Sequence, residues 1–388
     1  MAATDDRAPR RIAGSLSAAA AALLGAASGV DAAVLPDERA DAMYHHYKGG
    51  GMDISGPSLL VRKNFRDRVS VVANHYVDSV TSASIDVMTT ASPYTEERTE
   101  MRLGVDYLHD KTTLGVSWVT SEESDYVATT AGFSVSQDFF GDLSTLTFGY
   151  AQGNNEVGRN NDPSFAEESE THSFRLGFSQ VLSRRAVVGL GLEVNADRGY
   201  LNNPYRSVRY LDPGNPLLYS YQSERYPGTR TGTALALRTA YHLPGPDALK
   251  FTWRVYSDTW GIAAQNVELA YSRDLTPYWR IDARARTYSQ DHADFYSDLF
   301  PYQDAQNHLA RDKELSTFDT QQFGLGVAYV LKAPETSRWK QMTFNLQVDR
   351  MHFGYDDFRD LTVTAAPGSE PLYEFDATVT RLYYSLWY

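Results

Sequence analysis

The sequence predicts an all-β chain: a transmembrane antiparallel β-barrel of the bacterial outer membrane, with about 16 strands and 14–16 possible. Three observations predict it. Apolar residues recur at period two along most of the chain. The last eight residues, Arg381 to Tyr388, alternate strictly and stop on an aromatic side chain. Short and long connections alternate between the strands, as short periplasmic turns and longer outer loops would.

The amino terminus reads as a secretory signal. Arg7, Arg10 and Arg11 form a basic start, Ile12 to Gly29 is small and apolar, and Val30-Asp31-Ala32 offers small residues for cleavage after Ala32. Residues 1–32 are therefore expected to be a signal peptide and 33–388 a single barrel domain. The Arg10-Arg11 pair also suggests twin-arginine export, but its surroundings lack the rest of that signal. No uninterrupted apolar run reaches the roughly 18 residues a membrane helix requires. With no cysteine, disulfides, thiolate metal sites, iron–sulfur clusters and covalently attached haem are excluded, and no cofactor is expected. A net charge of −13 argues against a nucleic-acid partner.

Fifteen strands count back from the carboxyl terminus to Met52. Residues 41–48 either supply a sixteenth or thread the lumen. Met101, Leu103, Val105 and Tyr107 oppose Arg102, Gly104 and Asp106, while Phe174, Leu176 and Phe178 oppose Arg175, Gly177 and Ser179. Val188, Leu190, Leu192 and Val194 oppose Gly189, Gly191, Glu193 and Asn195. Further alternating runs cover 249–256, 323–329 and 344–349. A soluble barrel would show the same alternation with its apolar face inward. The membrane version is favoured by strand lengths of about 10–14 residues, against about 5–6 in soluble sheets. It is also favoured by a polar face too rich in Gly, Arg, Asp and Glu to fill a sealed core.

Aromatic residues gather near strand ends, as interfacial girdles require. Phe139-Phe140, Tyr278-Trp279, Trp339 and Trp387-Tyr388 are expected at one rim, and Tyr126, Tyr150, Trp260 and Tyr288 at the other. In the final strand, Leu382, Tyr384, Leu386 and Tyr388 face lipid and form the expected outer-membrane assembly signal. Short turns fall near 64–68, 109–112, 140–142, 183–185, 244–247, 275–277 and 333–338. Long loops span roughly 81–97, 154–170, 199–229, 292–316 and 355–374, with shorter outer connections at Glu122-Glu123 and Trp260-Gly261.

Several strings resemble one bacterial family. They are Gly49 to Gly51 with Gly56-Pro57-Ser58 and Arg62, Ser84 to Tyr94, Tyr200 to Tyr210, Asp294 to Pro301, and Ala310 to Ser316. The family is one of outer-membrane proteins filed as domain of unknown function 3570, and the resemblance covers nearly everything after the signal peptide. It implies an outer-membrane location and transfers no catalytic or binding residue.

The inward positions between about 230 and 290 are basic. Arg238, Lys250, Arg254, Arg280, Arg284 and Arg286 are expected to face the lumen, interleaved with Glu268 and Asp282. Such a ladder would steer anionic solutes. A wall of mutually satisfied ion pairs, with Arg102/Asp106 and Glu193/Asp349 doing the same elsewhere, explains the same residues. Inward Gly177, Gly189, Gly191, Gly324 and Gly326 suggest either barrel curvature or close approach of another backbone. The long loops carry Tyr, Phe, Arg and acidic residues suited to a lid, plug or contact surface.

The first functional expectation is a pore or transporter for small polar or anionic solutes. The alternative is a structural sleeve or anchor for a periplasmic or surface partner, such as an electron carrier. A surface hydrolase using His292 with Asp294 or Asp357 ranks behind both, and no enzyme is expected. Outer-membrane lipid, lipopolysaccharide and the barrel assembly machinery are the remaining expected partners.

Overall fold

A computed structural model describes residues 34–82, 94–160, 162–334 and 336–388. The expected signal peptide lies outside the described residues. The chain forms β1 (Arg39–Gly49), β2 (Met52–Phe65), β3 (Val69–Ser82), β4 (Tyr94–His109), β5 (Thr112–Glu122) and β6 (Tyr126–Phe139). There follow β7 (Ser144–Gly158), β8 (Ala166–Ser183), β9 (Ala186–Gly199), β10 (Ser207–Asp212), β11 (Asn215–Ser223) and β12 (Thr229–His242). The series ends with β13 (Asp247–Asp258), β14 (Ala263–Asp274), β15 (Trp279–Gln290), β16 (Phe318–Lys332), β17 (Gln341–Arg359) and β18 (Leu372–Trp387).

Sixteen of these strands close into one antiparallel barrel, and β10 and β11 form a separate two-stranded sheet within a loop. Closure is what the bilayer demands, because an open edge would leave backbone N–H and C=O groups unpaired in hydrocarbon. Residues 41–48 do supply the sixteenth wall strand. They lie in β1, which pairs with β18 from Arg39↔Trp387 to Gly49↔Ala377. The seam is fastened at its base. Tyr388 donates from its backbone N–H to the Glu38 carbonyl (3.3 Å) and from its hydroxyl to the Arg62 carbonyl (3.0 Å).

One face of the wall is apolar and open to the surroundings. Leu325 is 71% exposed and Leu190 55%, with Leu103, Val116, Phe133, Leu235 and Leu382 exposed alike. Apolar exposure all round a monomer exceeds the patches water tolerates, whereas in lipid it is the stable arrangement. The protein is therefore an outer-membrane barrel. The wall strands run from 11 residues in β1 to 19 in β17, while about 9–11 suffice to cross. The longest strands overshoot and carry the loops.

The girdles need one correction. At the short-turn end the aromatic residues cluster, with Trp279 4.8 Å from Tyr329 and Phe344 5.0 Å from Tyr384. Of the four residues expected at the other end, only Tyr150 lies on the apolar face, 5.0 Å from Phe174. Trp260 is 5% exposed and packs with Phe295 and Tyr226 beneath the loops. Tyr126 lines a cleft with Tyr205 of the β9–β12 loop, and Tyr288 shares its parity on β15 with Arg284. Aromatic residues near a strand end serve equally to anchor lipid or to support loops folded over the lumen, so position alone did not separate the two.

Candidate functional site

Strand alternation and register assign the wall's inner face. On β15, Asp282, Arg284, Arg286 and Tyr288 alternate with Ile281, Ala283, Ala285 and Thr287. Arg284 reaches over β16 to Asp349 on β17, with Nε and Nη2 2.7 and 2.5 Å from its two carboxylate oxygens. Arg381 on β18 adds a third bond to Asp349 at 3.0 Å. Asp349 is fully buried, so this carboxylate holds three strands together from within.

Ion pairs occupy much of the remaining interior. Arg62 bonds Asp106 at 2.8 Å, and Arg98 bonds Glu100 at 2.8 Å. His45 Nε2 lies 2.7 Å from Asp78, and its ring stacks on Tyr76 at 5.1 Å. Glu193 stands 3.8 Å from Arg175 and 3.9 Å from Arg254. Arg280 bonds Asp274 at 2.6 Å, and Asp282 accepts from the Ser272 hydroxyl at 2.5 Å. The partners differ from the sequence expectation: Asp106 pairs with Arg62 rather than Arg102, and Asp349 with Arg284 and Arg381 rather than standing beside Glu193. A side chain reaches diagonally across strands, which a single-strand pattern does not reveal.

Of the basic side chains expected on β12 to β15, three stand apart from these pairs, as does Arg102 on β4. Arg238 on β12, Lys250 on β13 and Arg286 on β15 make no ion pair or hydrogen bond with any described residue. Glu268 on β14 is registered directly opposite Arg286 and is likewise unbonded among the described residues. One sector of the wall, β12 to β15, thus carries more cations than carboxylates, three of them without a direct bond among the described residues.

The inward glycines are not overlaid by a second backbone among the described residues. A Cβ at Gly324 would collide with the Asp349 carboxylate and the Arg284 side chain, and one at Gly191 would lie 3.5 Å from the Arg238 guanidinium. Gly324 makes room for the Arg284–Asp349 pair, whereas a Cβ at Gly191 would make only ordinary contact.

The long loops form a cap. Arg209 on β10 is fully buried, bonding Asp298 of the β15–β16 loop and Glu370 of the β17–β18 loop, the latter at 2.5 Å. Arg311 also bonds Asp298 at 2.9 Å, and Arg206 bonds Asp312. Beneath them Trp260, Phe295, Tyr296, Leu315, Tyr355 and Phe358 make an apolar core. Burial pushes the Glu224 carboxyl up to about 7, with Asp312 adding to the rise and Arg206 opposing it.

The cap leans over the lumen. Tyr205 bonds Asp125 in the β5–β6 connection, and Arg209 bonds Glu370 in the β17–β18 connection. These connections stand six wall strands apart by the shorter route. Four residues of chain reach at most about 14 Å, whereas sixteen tilted strands spaced at about 4.8 Å enclose a circle about 30 Å across. The loops must therefore converge across the mouth.

The outer rim also brings together His292 and Asp357, Nδ1 to carboxylate at 3.0 Å, with the Thr317 hydroxyl 3.1 Å away. Asp294 instead lies against Gly261. The final strand places Leu382 between Tyr44 and Leu346, Tyr384 between Ala42 and Phe344, and Leu386 between Ala40 and Met342.

The family described as "Protein of unknown function (DUF3570)" matches residues 13–166 and 157–349. The chain belongs to that family. No curated protein sequence matches it. Among solved structures, the siderophore receptor PirA from Pseudomonas aeruginosa is similar, with a TM-score of 0.43 and 12% identity over 90% of this chain. The chain spans 63% of that receptor's length. A Pseudomonas aeruginosa FadL homologue has a TM-score of 0.40 at 10% identity, covering 91% of this chain and 90% of its own. In vitro folded OmpT of Vibrio cholerae has a TM-score of 0.40 at 10% identity, covering 90% and 99%. These likenesses are ones of barrel architecture. The DUF3570 assignment brings no residue roles with it, so the chemistry has to come from the wall and the cap.

Proposed function

We propose that the protein is an outer-membrane pore for small anionic or polar solutes, with its outer mouth narrowed by the folded loops. The observation that carries this reading is the group Arg238, Lys250 and Arg286, none of which makes a direct ion pair with a described carboxylate, unlike Arg62, Arg284 and Arg381. Cations in excess over the carboxylates around them raise the local concentration of anions and steer them. A purely structural wall would leave no reason to keep them unpaired, since unneutralised like charges repel. The sleeve reading draws less support, because side chains rather than a partner backbone account for the space above Gly324.

Purified, folded protein inserted into planar bilayers tests the reading. It should give discrete conductance steps. A correctly folded barrel that is electrically silent in both voltage polarities would overturn the pore.

A further inference from the structure

The outer surface of the wall carries a basic patch at the seam of the barrel. On β17, Phe344, Leu346 and Val348 are exposed on the apolar face, and Arg350 and His352 continue that face toward the outer end. On β1, Tyr44 is exposed on the same face, and Lys48 continues it. Between these strands lies β18, where Thr378 is registered against Lys48 on one side and Arg350 on the other. Two strand spacings of about 4.8 Å separate the two cations' backbones. Both long side chains can therefore meet over Thr378.

The patch sits where the headgroups of the outer leaflet begin. Lys48, Thr378 and Arg350 each stand nine residues from the level of Trp387, the last residue of β18. Nine residues of strand tilted by about 40° climb about 23 Å, against an apolar band about 25 Å tall. Below the patch, Leu59, Leu346, Val348 and Leu382 are exposed and offer a surface for acyl chains. On β12 to β15 the exposed outward positions near the same end are Thr233, Ser257, Gln265 and Thr287, all uncharged.

The donors suit a tetrahedral anion. Arg350 donates from Nη1 to the Thr378 hydroxyl at 2.9 Å and from Nη2 to Asp376 at 2.8 Å. A guanidinium has five N–H donors, so others are left to give. Thr378 accepts from Arg350, which leaves its own hydroxyl proton to donate. Lys48 is exposed and bonds no described residue. The patch's two carboxylates are engaged by their neighbours, Asp376 by Arg350 and by His352 at 3.0 Å, and Asp53 by His46 at 2.9 Å. Two cations and a hydroxyl above an acyl-sized apolar face call for a phosphate that carries fatty chains. We propose that Lys48, Thr378 and Arg350 bind a phosphate of lipid A, the acylated and phosphorylated disaccharide of the outer leaflet. This site lies outside the lumen and stands or falls apart from the pore.

The test uses full-length protein refolded in an amine-oxide detergent, which brings no lipid A with it. Bisphosphorylated lipid A is titrated and its adducts are read by native mass spectrometry. Dephosphorylated lipid A and phosphatidylglycerol are titrated alongside, with inorganic phosphate as a competitor. Bisphosphorylated lipid A should give a saturable one-to-one adduct, weakened roughly tenfold or more in Lys48→Ser/Arg350→Ser. Arg198→Ser, at an outward arginine on β9 paired with Glu170, should bind like the parent. Heat-dependent gel mobility checks that each barrel is closed, and Lys48→Gln/Arg350→Gln replaces the serine pair if that pair does not fold. Absence of a saturable adduct overturns the proposal. So does equal binding by the double variant, a similar loss in Arg198→Ser, or equally tight binding of dephosphorylated lipid A or phosphatidylglycerol. Displacement of lipid A by an equal concentration of inorganic phosphate overturns it too.

Discussion

Arg284 on β15 and Asp349 on β17 grip each other across Gly324, the β16 residue registered between them. The bond passes through the space a side chain at Gly324 would fill. Adding that side chain must therefore displace the carboxylate or the guanidinium. Gly324→Val should destabilise the barrel by about 1–3 kcal/mol through overpacking. Asp349→Ala strands Arg284 and Arg381 without their buried partner and should cost about 3–5 kcal/mol. Urea unfolding followed by tryptophan fluorescence measures both. A Gly324→Val barrel as stable as the parent would contradict the geometry.

Arg209 should hold the cap and leave the wall alone. It bonds both the β15–β16 and the β17–β18 loops through buried carboxylates. Arg209→Ala leaves Asp298 and Glu370 buried without it, a penalty of about 3–5 kcal/mol confined to the loops. Limited proteolysis should cut within 200–228, 291–317 and 360–371, while heat-dependent gel mobility stays that of a closed barrel.

Glu224 should make the cap weaker as pH rises. Its folded carboxyl titrates near 7, against 4.5 without burial. A raised pKa means the folded cap holds the proton more tightly than the unfolded one. The associated stability is complete below about 4.5 and is lost as pH climbs through 7. Glu224→Gln, which imitates the protonated acid, should make protease resistance of the loops independent of pH between those limits. At pH above 7 it should exceed the parent's resistance.

Leu190 and Leu325 lie on the exposed apolar face. Replacing either with Arg should cost about 2–4 kcal/mol near the bilayer midplane. The same change at Gln322, on the inner face of β16, should cost much less. Reversible unfolding in lipid vesicles provides the comparison.

The wall was legible in the sequence because period-two alternation is local: Leu382, Tyr384 and Leu386 show their face without reference to any other strand. The strand at residues 41–48 was ambiguous because the run Asp41 to Lys48, with His45 and His46 in its middle, is too short a pattern to separate a wall strand from a lumen segment. Pairing with β18 settled it. The interior bonds were not legible. Asp349 meets Arg284 and Arg381 from different strands, and strand tilt and stagger fix such meetings. The cap was read as long aromatic loops, but its centre at Arg209 depends on Asp298 and Glu370, the latter 161 residues away. Nothing in the local sequence around Arg209 records those partners. Trp260 misled for a related reason, since a strand-end aromatic looks the same whether it meets lipid or a folded loop.

The zero-current potential across a planar bilayer under a tenfold KCl gradient tests the central claim most directly. Parent protein should show a potential of the sign set by chloride preference, and Arg238→Ser/Lys250→Ser/Arg286→Ser together should abolish or reverse it. An unchanged potential in the triple variant, or cation preference in the parent, would contradict an anion-steering wall.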